Sequence, residues 1–156
     1  MAKTDPKAAY KKLLEQNKKQ MAAMRAKMQG QAKTLFSKLS KVLFKNNPTL
    51  TSFSWTQYTP YFNDGDVCEF SVNGNYPTLT FGEFEMDNKH YTTTWNGDKS
   101  VPVLLTEEQL QQNLTYEEVR EFIGTFDEAD LEAIFGDHIE VTVTPKGTST
   151  EEYSHD

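Results

Sequence analysis

The longest periodic stretch of the chain runs from about residue 6 to residue 46. Pro6 suits the first turn of a helix, and Ala, Lys, Leu, Gln and Met, all good helix formers, dominate the residues after it. Tyr10, Leu14, Asn17, Met21, Met24 and Met28 recur at alternating steps of four and three. That spacing is the seam of a helix that pairs with another helix. Beyond Gly30 the phase shifts: Ala32, Leu35, Leu39 and Val42 resume the pattern, and Phe36, Leu43 and Phe44 widen it into a core-facing stripe. The first half is therefore expected to be thin and exposed, the second half packed. Asn46-Asn47-Pro48 ends the helix. The thin half has two readings, a surface for a partner helix or second copy (Tyr10, Leu14, Met21, Met24, Met28) and a solvated lysine-rich extension.

After residue 48 the period changes to two. Phe53, Trp55 and Gln57 alternate with Ser54, Thr56 and Tyr58, the pattern of a half-buried strand. Pro60 and the cluster Asn63-Asp64-Gly65-Asp66 interrupt it. Cys68, Phe70 and Val72 alternate as a second strand, and Asn73-Gly74 is a strong hairpin signal. Leu79 and Phe81 have the opposite parity to Phe84 and Met86, so Gly82 is expected to be a bulge or bend. Residues 90–95 read as a fourth strand, closed by Asn96-Gly97-Asp98. Two capping boxes come next, Thr106 with Gln109 and Thr115 with Glu118, with Leu114 and Val119 placed to staple the second. Asp127 caps a third short helix that Gly136 ends. Ile139, Val141 and Val143 alternate with Glu140, Thr142 and Thr144 as a last strand, and the polar stretch after Pro145 is expected to be loose.

The order predicts an α+β fold: a long N-terminal helix, an antiparallel β-meander of about five strands, and short C-terminal helices. The expected divisions are a basic amphipathic helical arm (1–46), a globular α+β domain (47–146) and a flexible acidic tail (147–156).

Charge sharpens the division. Residues 1–46 carry twelve Lys or Arg against two acids, Asp5 and Glu15, a net of +10; residues 47–156 carry four basic residues against twenty-one acids, a net of −17. Such polarisation points to a basic arm with a partner: another protein, the acidic body of its own oligomer, or nucleic acid. Binding of nucleic acid through residues 1–46 would be non-specific. The arm's one arginine, Arg25, offers little for base reading, and the acidic body repels phosphate. No apolar run approaches membrane-spanning length. The N-terminus lacks the apolar stretch of a secretion signal, and the one cysteine, Cys68, excludes an internal disulfide framework. These features fit a cytoplasmic location.

Chemistry is sparse. The densest constellation is Trp55 to Asp66, in which Trp55, Gln57, Tyr58, Tyr61, Phe62, Asn63, Asp64 and Asp66 form a candidate recognition surface of aromatic rings with polar tips. Asp64 and Asp66 flank Gly65 and could face one loop cavity, with Cys68 beside them as the core of a small hydrolase or nucleotide-handling enzyme. The plain alternative is a turn whose Asn63 and Asp64 satisfy their own backbone, next to a cysteine packed as a small hydrophobe. His90, His138 and His155 have no ligand-type spacing. No phosphate loop, dinucleotide fingerprint or nucleophile elbow is present, so no metal, cofactor or catalytic residue is expected.

The run Trp55 to Asp66, followed by Cys68 and Phe70, resembles a family of uncharacterised proteins of bacteriophages and bacteria. The stretch from Phe135-Gly136-Asp137-His138 through the last strand to Glu152-Tyr153-Ser154-His155-Asp156 is similar to the same family, with Ser154 where the pattern leads one to expect Asp, which argues against a metal role there. The resemblance spans roughly residues 40–156. It implies a phage-encoded or phage-related protein of the host cytoplasm, acting in host takeover, counter-defence, or replication or assembly. The expectation is a non-enzymatic binding protein, its aromatic–acidic turn a recognition surface and its basic helix a means of oligomerisation or docking.

Overall fold

A computed structural model of the chain describes residues 5–62 and 64–155. It begins with helix α1 (Pro6–Asn46), whose N-cap Asp5 accepts a hydrogen bond from the Lys7 N–H, with Pro6 in the first turn. Strands β1 (Ser52–Tyr58), β2 (Ser71–Val72), β3 (Thr78–Phe81), β4 (Phe84–Met86), β5 (Thr93–Asn96) and β6 (Lys99–Pro102) come after it. Helices α2 (Glu107–Gly124) and α3 (Glu128–Phe135) precede the closing strands β7 (Ile139–Thr144) and β8 (Gly147–Glu152). The fold is α+β, with a long N-terminal helix, antiparallel strand pairing and short C-terminal helices.

The main sheet has the order β4-β3-β1-β7-β8, all pairs antiparallel. The first strand is thus central, and the C-terminal β7–β8 hairpin lies on its far side rather than extending a simple meander. Alternation along β1 works as the sequence implies: Phe53, Trp55 and Gln57 are buried and their neighbours half-buried. The core on that face is aromatic. Phe36 of α1 packs against Trp55, Phe122, Phe126 and Phe135, with ring centroids 5.0–6.1 Å apart. Asn47 fastens the end of α1 to α2. Its amide N–H groups donate to Leu43 O (2.9 Å) and Glu118 Oε2 (2.6 Å), and its carbonyl accepts from Thr115 Oγ1 (2.8 Å).

Several local expectations are corrected. Asn73-Gly74 does not turn a hairpin. β2 and β3 lie end to end along the same edge of β1, pairing with residues 57–58 and 52–54. Asn73 is held there by its N–H to Thr56 O (2.9 Å) and its amide to Thr56 Oγ1 (2.8 Å). Gly74 lacks the positive φ of the tight hairpin turn; it is glycine because a Cβ would sit 2.6 Å from Ile123 Cγ2. Gly82, with φ +67, is the turn of the β3–β4 hairpin. Residues 90–92 are not strand. The His90 N–H donates to Asn113 Oδ1 (2.7 Å) on α2, and the strand that starts at Thr93 pairs only with β6 in a separate exposed ribbon. The capping box at Thr106 forms with both arms, but that at Thr115 does not. α2 runs through it, because Thr115 is buried and its hydroxyl serves Asn47 and Gln111 O, leaving Leu114 exposed. The tail expected to be loose is strand: Gly147–Glu152 pair along β7, and the Tyr153 N–H donates to His138 O (2.8 Å). Its alternating polar residues give no burial signal, yet a sheet edge pairs through backbone alone. Among the described residues no helix is long and apolar enough to cross a membrane.

Candidate functional site

Two surfaces stand apart from the core. The first is the N-terminal part of α1. Every residue from Asp5 to Gln31 is exposed, a rod of roughly 40 Å at ~1.5 Å per residue. The seam Tyr10, Leu14, Met21, Met24 and Met28 lies on it, Tyr10 being 65% and Met24 63% exposed. Burial begins at Ala32 and becomes complete at Phe36, Ser40, Leu43 and Phe44. The helix continues through Gly30, whose carbonyl accepts from Thr34 Oγ1 (3.0 Å).

The second surface surrounds the end of β1. Of the eight residues expected to form a recognition surface, Trp55 and Gln57 are removed from it by burial. The Trp55 indole N–H donates to Gln57 Oε1 (2.9 Å), and Gln57 Nε2 donates to Leu131 O (2.9 Å) and Gly136 O (2.8 Å). Their burial is set by the strand's period, which puts every second side chain inward. Tyr58 is half-buried, Tyr61, Phe62, Asp64 and Asp66 are exposed, and Asn63 lies outside the described residues. Asp64 adopts φ +42 ahead of Gly65 at φ +92, so this is a left-handed turn of the kind Asp and Gly tolerate. Among the described residues no hydrogen bond joins Asp64 or Asp66 to the half-buried Cys68. Nothing in that geometry assembles a nucleophile with a base.

What does assemble is a set of rings from the end of β1 with the loop after it and from the two ends of the β7–β8 hairpin. His138 Nδ1 and His155 Nε2 are 2.7 Å apart, in rings inclined by only 11° whose centroids are 4.9 Å apart. The imidazoles therefore meet edge to edge, one nitrogen donating and the other accepting. Tyr61 stacks on both, at 4.9 Å from His138 and 4.3 Å from His155, and Tyr58 stacks on His155 at 3.9 Å and packs on Tyr153 at 5.5 Å. His138 sits at φ +55, two residues after Gly136 at φ +104. Asp137 anchors this turn: Oδ1 accepts from the Thr59 N–H (2.8 Å) and His138 N–H (2.7 Å), and Oδ2 from Thr59 Oγ1 (2.7 Å). Partial burial pushes the Asp137 carboxyl up, but the bonds from Thr59 and His138, with the His138 charge, outweigh it and hold it below its ordinary value.

Asp137, His138, Tyr153 and His155 are site residues that sequence reasoning misses. The stretches 135–138 and 152–156 that contain them are singled out in the sequence but assigned no contact there, and the partnership of His138 with His155 arises only when β7 and β8 fold back on one another. The rings satisfy one another and tie the C-terminal segment to the end of β1, leaving Tyr61 and Phe62 as the accessible apolar rim. Among the described residues no group of three or more His, Cys, Asp or Glu is placed to hold a metal ion. Comparison with known proteins finds no matching family, no matching curated protein and no matching solved structure.

Proposed function

We propose that the chain is a non-enzymatic interaction protein whose basic helical arm docks onto a partner helix. The observation that carries this reading is the exposure of the N-terminal part of α1, Asp5 to Gln31, while it bears an apolar seam at coiled-coil spacing. A lone lysine-rich helix in water is marginal, and burying that seam would stabilise it. The flanks favour an acidic partner. Lys11, Lys18 and Arg25 follow Tyr10, Asn17 and Met24, and Lys27 precedes Met28, the positions that flank the seam toward a partner; the acid Glu15, which follows Leu14, lies outside them. In a parallel pair of two copies the facing flanks would be Leu13 with Lys18 and Gln20 with Arg25, which gives no attractive pair, whereas an acidic helix answers each cation. The exposed Tyr61 and Phe62 provide a second contact on the body. The resemblance to phage proteins supports a setting in the host cytoplasm, where such an adaptor would serve takeover, counter-defence or assembly.

The test combines sedimentation equilibrium of the full chain with titration of an acidic amphipathic helical peptide, followed by circular dichroism. Added helicity and a heterodimer mass, weakened by salt and lost in Met21→Lys/Met24→Lys, support docking to an acidic helix. Concentration-dependent dimerisation abolished by the same variant would make a second copy the partner. A chain that stays monomeric and ignores the peptide at low salt overturns the proposal.

A further inference from the structure

A cleft of about 270 Å³ opens where the packed half of α1 meets α3 and the β7–β8 turn. Its apolar wall is Phe36, Ile134 and Phe135, the two phenyl rings meeting edge to face at 5.2 Å. Three lysines surround it: Lys33 and Lys41, two helical turns apart, and Lys146 in the opposing turn. No acid lines it, and among the described residues none of the three forms an ion pair. Lys33 and Lys41 come from the basic residues 1–46, and Lys146 is one of only four basic residues against twenty-one acids in 47–156. The turn that presents Lys146 is fixed: Thr144 Oγ1 accepts from the Lys146 N–H (3.2 Å) and donates to Gly147 O (3.2 Å). The hydroxyls of Ser37 and Thr148 add polar groups to the wall.

We propose that this cleft binds a small phosphorylated molecule with a flat apolar body. Three ammonium groups are point charges, suited to a phosphate dianion rather than to the bidentate fork that a carboxylate meets in arginine. Three cations and no acid around one cleft give it a positive potential that favours an anion there. The phenyl wall takes the apolar body. The volume lies near the lower end of small-molecule sites, ~300 Å³, which fits one ring system rather than an extended chain. This site is independent of the arm's seam, since neither Lys41 nor Lys146 belongs to it.

The probe is phenyl phosphate, titrated into isotope-labelled full-length protein and followed by the amide resonances of Gly147 and Thr148, with inorganic phosphate and benzyl alcohol as parallel arms. The expected result is saturable binding of phenyl phosphate about tenfold tighter than inorganic phosphate, the gain from burying one ring face, and little binding of the alcohol. Lys41→Glu/Lys146→Glu, both at exposed positions, should weaken phenyl phosphate at least about tenfold with unchanged circular dichroism. Absence of saturation, equal affinity for inorganic phosphate, or indifference to the charge reversal would each overturn the assignment. Should the double variant unfold, Lys146→Gln alone gives the same reading with a smaller loss.

Discussion

The indole N–H of Trp55 donates to the side-chain carbonyl of Gln57, two residues along the same face of β1, and the Gln57 amide in turn donates to the carbonyls of Leu131 and Gly136. One fully buried glutamine thus joins the central strand to the middle of α3 and the turn beyond it. Replacing it with leucine keeps the volume but strands the indole N–H and the two carbonyls. Buried groups left without partners cost roughly 1–3 kcal/mol each when water cannot reach them. Gln57→Leu should therefore lose about 3 kcal/mol in denaturant unfolding, despite placing an apolar residue in an apolar core. A variant as stable as the parent would show that these bonds contribute nothing net.

Gly74 and Ile123 bring backbone and helix side chain into close approach, a Cβ at 74 falling 2.6 Å from Ile123 Cγ2. Overpacking of this kind typically costs about 1–3 kcal/mol. Gly74→Ala should be destabilised by that amount, and the loss should shrink in an Ile123→Ala background, where the obstructing methyl is gone. Additive effects in the double-mutant cycle would mean that backbone strain at 74, not contact with Ile123, sets the requirement for glycine.

The same pair marks the limit of sequence pattern. The helix over 6–46, the inward set Phe53, Trp55 and Gln57, and the Thr106 capping box are all local, written in spacing alone, and all are found. Asn73-Gly74 carries a genuine local preference for a turn, but Thr56 of β1, 17 positions away, holds Asn73 along the strand edge, and the contact that requires glycine at 74 comes from a residue 49 positions away. The strand at 147–152 has no inward apolar residue to announce it, because β8 is an exposed edge held by backbone pairing. The ring cluster is invisible for the same reason: His138 and His155 are ordinary in spacing, and only the β7–β8 hairpin brings their nitrogens together.

Asp137 makes that cluster's acid sensitivity predictable. Against the upward push of partial burial, Thr59 and His138 hold its carboxyl below the ordinary 3.8, so the folded state prefers the ionised form more strongly than the unfolded chain does. That stabilisation is fully present above the unfolded value and is lost as pH falls through the lower, folded one. Asp137→Asn should be less stable than the parent at neutral pH, and the difference should narrow on acidification below 3.8. The C-terminal segment should respond with it, because the Asp137 turn supplies the carbonyl of His138 that receives the Tyr153 N–H. Hydrogen exchange at Tyr153 followed against pH checks this, and a gap between the two proteins that widens in acid would refute the role assigned to the carboxylate.

The exposed arm and the core should be energetically separable. Every residue from Asp5 to Gln31 is exposed, and the first side chain to enter the core completely is Phe36. A truncation that starts the chain at Gly30 removes charge and helix but no buried apolar surface, so the body's unfolding free energy should change by no more than ~0.5 kcal/mol, the range of surface changes remote from packing. The far-UV helical signal should fall while the aromatic signal of Phe36, Trp55 and Phe122 stays. By contrast, Phe36→Ala, at the point where the helix enters the core, should cost about 3–5 kcal/mol. If the truncation costs as much as Phe36→Ala, the arm packs on the body and is not free to receive a partner.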